Sequence, residues 1–204
     1  MTVSVLIDSA FDPQALERQH PQPGPGLLAT GKYLAVEGEP PFVRISEYES
    51  SEALRGALER HRTNLSDIRD SQELIPGIPM VQRRIFNSRD EDFGASREAL
   101  ASSRFLVTST MSVRADHEDD LNAWYLEEHI PALLKIDGWL RSRRFEKVAG
   151  PGPLHLALHD LRDLEMRKQP AFHKIMTTPW RLRLVEVRTA FDRSLLKIDD
   201  GTST

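Results

Sequence analysis

Cysteine is absent from all 204 residues, which removes disulfides, thiolate nucleophiles, cysteine-bound zinc and iron–sulfur clusters. That absence fits a reducing compartment, and a cytoplasmic location is expected. No run approaches the roughly 18 consecutive apolar residues of a membrane span, so no membrane partner is expected. Residues 1–8 lack a basic stretch followed by a long apolar run, so no signal peptide is expected there. Positive charge is not in excess: 27 Lys and Arg stand against 31 Asp and Glu, a net charge of −4, which argues against a nucleic-acid partner. Glycine-rich dinucleotide and phosphate loops and the G-x-S-x-G elbow are also missing, which leaves dinucleotide oxidoreductases, nucleotide hydrolases and esterases without support. No ligand set announces a flavin, a haem or a metal, and no cofactor is expected.

What is present, 39% hydrophobic and 28% charged residues, describes a globular chain with a real core. The second half reads most clearly. Residues 105–113 are apolar and β-branched, as strands are. Asp116, with Asp119 three residues on, offers a helix start, after which Leu121, Trp124, Tyr125 and Glu128 or His129 recur at helical spacing. Pro131 should kink or end that helix, because it lacks an N–H and its ring clashes with the preceding turn. Strands are expected at 139–148, 154–159 and 183–191, with a helix at about 163–177. This strand, helix, hairpin, helix, strand order is the split β-α-β pattern.

The first half repeats it more faintly, with strands at 4–10, 26–36, 42–48 and 80–87 and helices at 12–20 and 51–70. Gly26, Gly38 and Pro41 match Gly138, Gly150 and Pro153 at one offset of 112 positions, which argues for duplication. The expected fold class is therefore α+β: two tandem ferredoxin-like β-α-β-β-α-β units forming an intramolecular dimeric α/β-barrel. Residues 1–90 and 104–198 are the repeats, joined by a polar linker over 91–103. The terminal residues 199–204 are expected to fray.

Strand parity turns the architecture into a site. Leu154, Leu156 and Leu158 share one face of their strand and are expected under the helices. His155, Ala157 and His159 share the other, expected to face the space between two sheets. Glu186 and Arg141 take inward positions on flanking strands, Trp139 and Arg143 alternate with Leu140 and Ser142, and Arg44 and Tyr48 lie on one face in the first half. One reading is a cavity with acid–base groups and cationic anchors for an anionic or phenolic ligand. The other is a solvated sheet edge, for which the Arg cluster 141, 143 and 144 would discourage aggregation. Tyr125 and His129, one helical turn apart, share a patch beside Pro131, where His129 is either a general base or a cap on the kinked turn. Trp124 and Trp180 suit either stacking on an aromatic substrate or ordinary core packing. His155, His159 and Glu186 lack the further ligand that a metal site needs.

The run Trp124-Tyr125-Leu126-Glu127-Glu128-His129-Ile130-Pro131 resembles the first-helix signature of EthD-like proteins, members of the dimeric α/β-barrel superfamily. Ile136-Asp137-Gly138-Trp139, Arg143-Arg144-Phe145 and Thr177-Thr178-Pro179-Trp180-Arg181 look like a fungal branch of that group. Pro170-Ala171-Phe172-His173 is similar to the Pro-Ala-His step of a plant polyketide cyclase, with one extra residue before His173. The first half lacks the E-H-x-P element, so one working site is expected.

Fold alone does not choose among the superfamily's cyclases, isomerases, decarboxylases, monooxygenases and haem-degrading enzymes. The residues and the resemblance together imply a cofactor-independent lyase, cyclase or isomerase on an aromatic or polyketide-like small molecule in secondary metabolism. His129, His155, His159, His173 and Glu186 are the acid–base candidates. Tyr125, Trp124, Arg141, Arg143, Trp139, Tyr48 and Arg44 are the binding candidates. The alternatives are a cofactor-free monooxygenase that oxidises a phenol to a quinone, and a non-catalytic binding barrel. A monomer or a homodimer satisfies this reading.

Overall fold

In a computed structural model, residues 2–21, 23–61, 63, 81–90, 92–95 and 98–200 are described. The chain divides into two compact units, Met1–Asp90 with Phe145–Gly152 and Ser194–Thr204, and Glu91–Arg144 with Pro153–Arg193. The first contains β1 (Ser4–Ala10), α1 (Pro13–Gln19), β2 (Leu27–Glu37), β3 (Phe42–Tyr48), α2 (Ser51–Arg60) and β4 (Gln82–Ser88). Its strands run in the order β4-β1-β3-β2. The expected helix over 51–70 is seen as α2 only, and residues 62 and 64–70, like Met80, lie outside the described residues.

Local chemistry accounts for α2. The Ser50 hydroxyl accepts from the Ala53 amide at 3.1 Å, satisfying one of the free N–H groups of the first turn. Leu54, Ala57 and Leu58 then fall at i, i+3 and i+4 and bury one stripe against Leu6, Tyr48 and Ile85. Strand β1 is buried at all seven positions, between β3 and β4. It nevertheless carries Asp8, whose charge needs compensation there. Arg83, its cross-strand neighbour, donates from Nε and Nη2 to the two carboxylate oxygens at 2.7 Å each.

His20 Nδ1 lies 2.9 Å from Asp8 Oδ2, and its Nε2 lies 2.9 Å from Ser46 Oγ. The order Asp, His, Ser is that of a hydrolytic triad, but Arg83 occupies both carboxylate oxygens and Ser46 is 1% exposed. The network therefore holds β1, β3, β4 and the end of α1 together. Burial alone would raise the Asp8 pKa; the hydrogen bonds from Arg83 and His20 overcome it and hold the carboxyl below its ordinary value.

The second unit contains a two-residue β5 (Phe93–Gly94), β6 (Phe105–Val113), the first part of β7 (Trp139–Ala149), β8 (His155–Leu161) and the first part of β9 (Arg188–Ile198). The order is β9-β6-β8-β7-β5. The expected linker is thus partly structured: Phe93 and Gly94 pair with Ser142 and Arg141 of β7. Two separate four-stranded sheets are not what forms. The last residues of β7 pair with β4 and those of β9 with β2, inside the first unit.

Helix α3 consists of three consecutive pieces, Glu118–Ala123, Trp124–His129 and Ile130–Leu133. It starts at Glu118 rather than Asp116, with Glu118, Asp119 and Asp120 in the first turn where the helix dipole favours acids. Pro131 does not end it. The middle piece is π-helical, with the Ile130 amide reaching back five residues to the Tyr125 carbonyl, and this wider turn directly precedes the proline.

The expected helix at 163–177 is a 3₁₀ turn at Glu165–Lys168 followed by α4 (Pro170–Ile175). The expected strand at 183–191 is mostly α5 (Pro179–Val187). Thr178 caps α5 through the Arg181 amide, Pro179 opens it, and Trp180, Leu184 and Val187 share the face packed on the core. That helical spacing prevails over the alternation of 183–191.

The glycines that open and close the two hairpins, Gly26 with Gly38 and Gly138 with Gly150, all have positive φ, between 78° and 99°. At Gly150 (φ 99°) a Cβ would also run into the Arg83 carbonyl and the Arg84 Cα, whereas at Gly152 (φ 87°) it would meet nothing within 4 Å among the described residues. Gly152→Ala should therefore cost only the left-handed backbone term, about 1–2 kcal/mol. Gly150→Ala should cost clearly more, and urea denaturation of both variants ranks them.

Candidate active site

One cavity of the second unit, about 630 Å³ including its mouth open to solvent, gathers the unit's chemistry. The sheet contributes the odd-numbered face of β6, with Val107, Ser109 and Met111, and His159 of β8, the cross-strand partner of Val107. Helix α3 contributes Trp124, Tyr125 and His129. The π turn explains their convergence: widening the helix brings residues five apart onto one line, and the His129 ring stacks on Trp124 with centroids 4.1 Å apart. Tyr125 meets His129 edge-on at 5.6 Å. Arg181, Leu184 and Val185 of α5, Phe172 and Met176 around α4, and Trp139, Arg188, Phe191 and Arg193 complete the wall.

Side-chain bonds fix this arrangement. Glu128 accepts from Trp124 Nε1 at 3.0 Å and from Thr178 Oγ1 at 2.6 Å, joining the π turn to the cap of α5. Trp180 Nε1 donates to Asp120 at 2.9 Å, a second tie between the same helices. The Ser142 hydroxyl sits 2.9 Å from His159 Nδ1 and accepts from Trp139 Nε1 at 3.0 Å. With its second lone pair Ser142 Oγ also accepts from Nδ1–H in the tautomer that leaves the His159 Nε2 lone pair toward the cavity.

Both histidines are held neutral. Burial, then the positive charges of Arg193 and Arg143, brings the His159 pKa down to about 3. Burial is also the main cause for His129, held well below the ordinary value, with His159, Arg181 and Arg193 adding to it. Burial pushes the Tyr125 phenol up to about 12 against the opposing fields of Arg144 and Arg181, so it stays a neutral O–H donor.

A histidine whose folded pKa is depressed takes up protons preferentially when unfolded. The stability it contributes is full above the ordinary value of 6.5 and is lost as pH falls from there toward about 3. The unfolding free energy from urea denaturation should therefore begin to drop below pH 6.5, by up to about 1.4 kcal/mol per pH unit for each histidine. His159→Gln should flatten that slope. Asp8 acts in a lower window: its contribution is present above 3.8 and is lost as pH falls through its folded value.

The expected site is only partly this one. Trp124, Tyr125, His129, Trp139 and His159 line the cavity. The expected sides of β8 are reversed: Ala157, on the His159 face, packs on Leu121, Trp124 and Tyr125 of the helix, so the histidine face is the helix face. His155 is buried elsewhere on that face, its Nε2 3.8 Å from Glu118. His173 is exposed on α4 and Glu186 is exposed on α5. Arg141 and Arg143 point away, both to Asp160, at 3.0 and 3.4 Å, on the face of β8 opposite His159. Arg44 pairs with Glu17, and Tyr48 is core, both within the first unit. Sequence reasoning did not assign Arg181, Arg188 or Arg193 to the site. Arg181 stood in the Thr-Pro-Trp-Arg segment, and reading Thr178-Pro179 as a helix start was the signal that could have found it.

No family model and no curated protein matches the chain. Solved structures do. An anthrone oxidase-like protein matches with a TM-score of 0.61 at 12% identity, over 97% of this chain and 91% of that one. An uncharacterized ferredoxin-fold protein of Listeria monocytogenes, related to antibiotic biosynthesis monooxygenases, matches at 0.53 and 9% identity, over 97% and 94%. A mutant chlorite dismutase of Candidatus Nitrospira defluvii, in complex with cyanide, matches at 0.55 and 8%, over 97% and 90%. These likenesses establish a ferredoxin-like α/β fold across the chain. Among the described residues no helix is long and apolar enough to cross a membrane.

Proposed function

We propose that the cavity is the active site of a cofactor-independent enzyme that moves a proton beside a carbonyl of an aromatic or polyketide-like small molecule. One observation carries the reading: two neutral histidines, a neutral tyrosine and three arginines line one aromatic-walled cavity, with no carboxylate among the described residues of its lining. A neutral imidazole accepts the C–H or O–H proton. Arginine and the Tyr125 hydroxyl stabilise the enolate or phenolate oxygen that results. The base strength that the arginines suppress returns when an anion neutralises them. From that enolate, attack on a second carbonyl followed by loss of water gives ring closure, which supports a cyclase or lyase in secondary metabolism.

Two features of the chain agree with this reading. Glu128, His129 and Pro131, which carry the EthD-like resemblance, belong to the helix that builds the cavity. The hairpins β2 and β7, Leu27–Glu37 and Trp139–Ala149, are displaced by the same 112 positions as their glycines, which supports a tandem-repeat origin.

The second reading is a cofactor-free monooxygenase, favoured by the anthrone oxidase-like and monooxygenase-related structures that share the fold. The same enolate would then react with dioxygen, converting a CH₂ to a C=O with release of water. Anthrone in deuterated buffer tests both. Catalysed deuterium exchange at its benzylic carbon without oxygen uptake supports the first reading, and exchange with stoichiometric oxygen uptake and quinone formation supports the second. Tight binding with neither would leave a sequestering protein.

A further inference from the structure

We infer that the cavity takes an aromatic carboxylate and that Arg188 selects it; the inference rests on the proposed function above. Several arginines of the second unit are held by a carboxylate: Arg141 and Arg143 by Asp160, and Arg162 by Asp137 and Asp163. Arg181 and Arg188 have none among the described residues. Arg181 donates to the Met176 carbonyl at 2.7 Å, and the Arg188 guanidinium lies 4.3 Å over the Phe191 ring. Both line the cavity beside Arg193, and among the described residues no Asp or Glu lines it with them. Arg188 lies near enough to Arg181 for their charges to repel, and an anion entering the space beside them relieves that repulsion.

The three arginines exceed what one enolate oxygen uses. Arg193 lies near enough to act on both histidines and Arg181 on His129, so they serve the reacting end. Arg188 lies beside Phe191, which is 42% exposed, and so marks the solvent end. A planar carboxylate matches a guanidinium through two parallel bonds. The ligand thus has its enolisable ring between the histidines and its carboxylate toward Arg188.

Calorimetric titration of the full chain with 2-naphthoate and with its near-isosteric neutral partner, 2-naphthamide, tests this. Naphthoate should bind at least about tenfold tighter, the scale of one charge-assisted pair. R188Q should reduce naphthoate to the amide's affinity without changing the amide, and R188K should retain part of the difference. Two cavity-filling variants, Ser109→Phe and Val107→Phe, should block both compounds. Equal affinities that the filling variants abolish would overturn the carboxylate inference and leave the cavity reading standing. Binding that survives the filling variants, or no binding of either compound, would overturn both.

Discussion

Replacing His159 by glutamine is expected to lower catalysed deuterium exchange into anthrone by about 10²–10⁴-fold, the usual contribution of a positioned acid–base group. Glutamine keeps the volume of the ring and can still meet Ser142 Oγ, the partner of His159 Nδ1 at 2.9 Å, so the cavity wall survives. What disappears is the Nε2 lone pair directed into the cavity. His129→Gln is expected to act in the same direction, with some added loss of packing because its ring stacks on Trp124. A fold-stabilising histidine would behave oppositely, lowering the melting temperature while the remaining folded protein kept its rate. If both variants stay folded and exchange at the parent rate, proton transfer by these side chains is wrong. His155→Gln and His173→Gln serve as controls, since neither residue lines the cavity.

The difference between the histidines also shows what the sequence could convey. Trp124, Tyr125 and His129 were legible because helical spacing and Pro131 are local signals, although the π turn that aligns residues five apart was not. For His155 and His159, alternation showed that they share a face. Which face the helices cover depends on packing, and that was inverted. Four residues along a strand also span about 13 Å, so one histidine reaches the cavity while the other lies against Glu118. The arginines were the larger loss. In residues 183–191 apolar and polar residues alternate as in a strand, and only the Thr178-Pro179 start favours a helix. Reading a strand there put Glu186 inward and left Arg181 and Arg188 unassigned, whereas α5 turns Glu186 to solvent and brings the arginines to the cavity. Arg141 and Arg143 failed for a complementary reason. Asp160 falls within β8, and an acid on the neighbouring strand converts candidate anchors into a structural pair.

The second large effect concerns the fold. Arg83→Met is expected to destabilise the protein by about 3–5 kcal/mol, because it leaves the Asp8 charge buried without its main partner. Asp8 is 0% exposed, and among the described residues Arg83 supplies two of the three side-chain bonds on its carboxylate, the third coming from His20. Such a loss is a large fraction of the 5–15 kcal/mol by which domains of ordinary stability are held, so the melting temperature should fall by many degrees. The cause can be separated from lost packing by removing the charge as well. Asp8→Asn combined with Arg83→Met leaves a polar amide that His20 can still engage, and this double variant should recover a substantial part of the loss. A ladder of urea midpoints near pH 7 for the parent, Arg83→Met and the double variant measures it. Were the double variant as unstable as, or less stable than, Arg83→Met alone, the buried charge would not be the cause, and the alkyl packing of Arg83 or its bond to the Gln19 carbonyl at 2.6 Å would have to carry the effect.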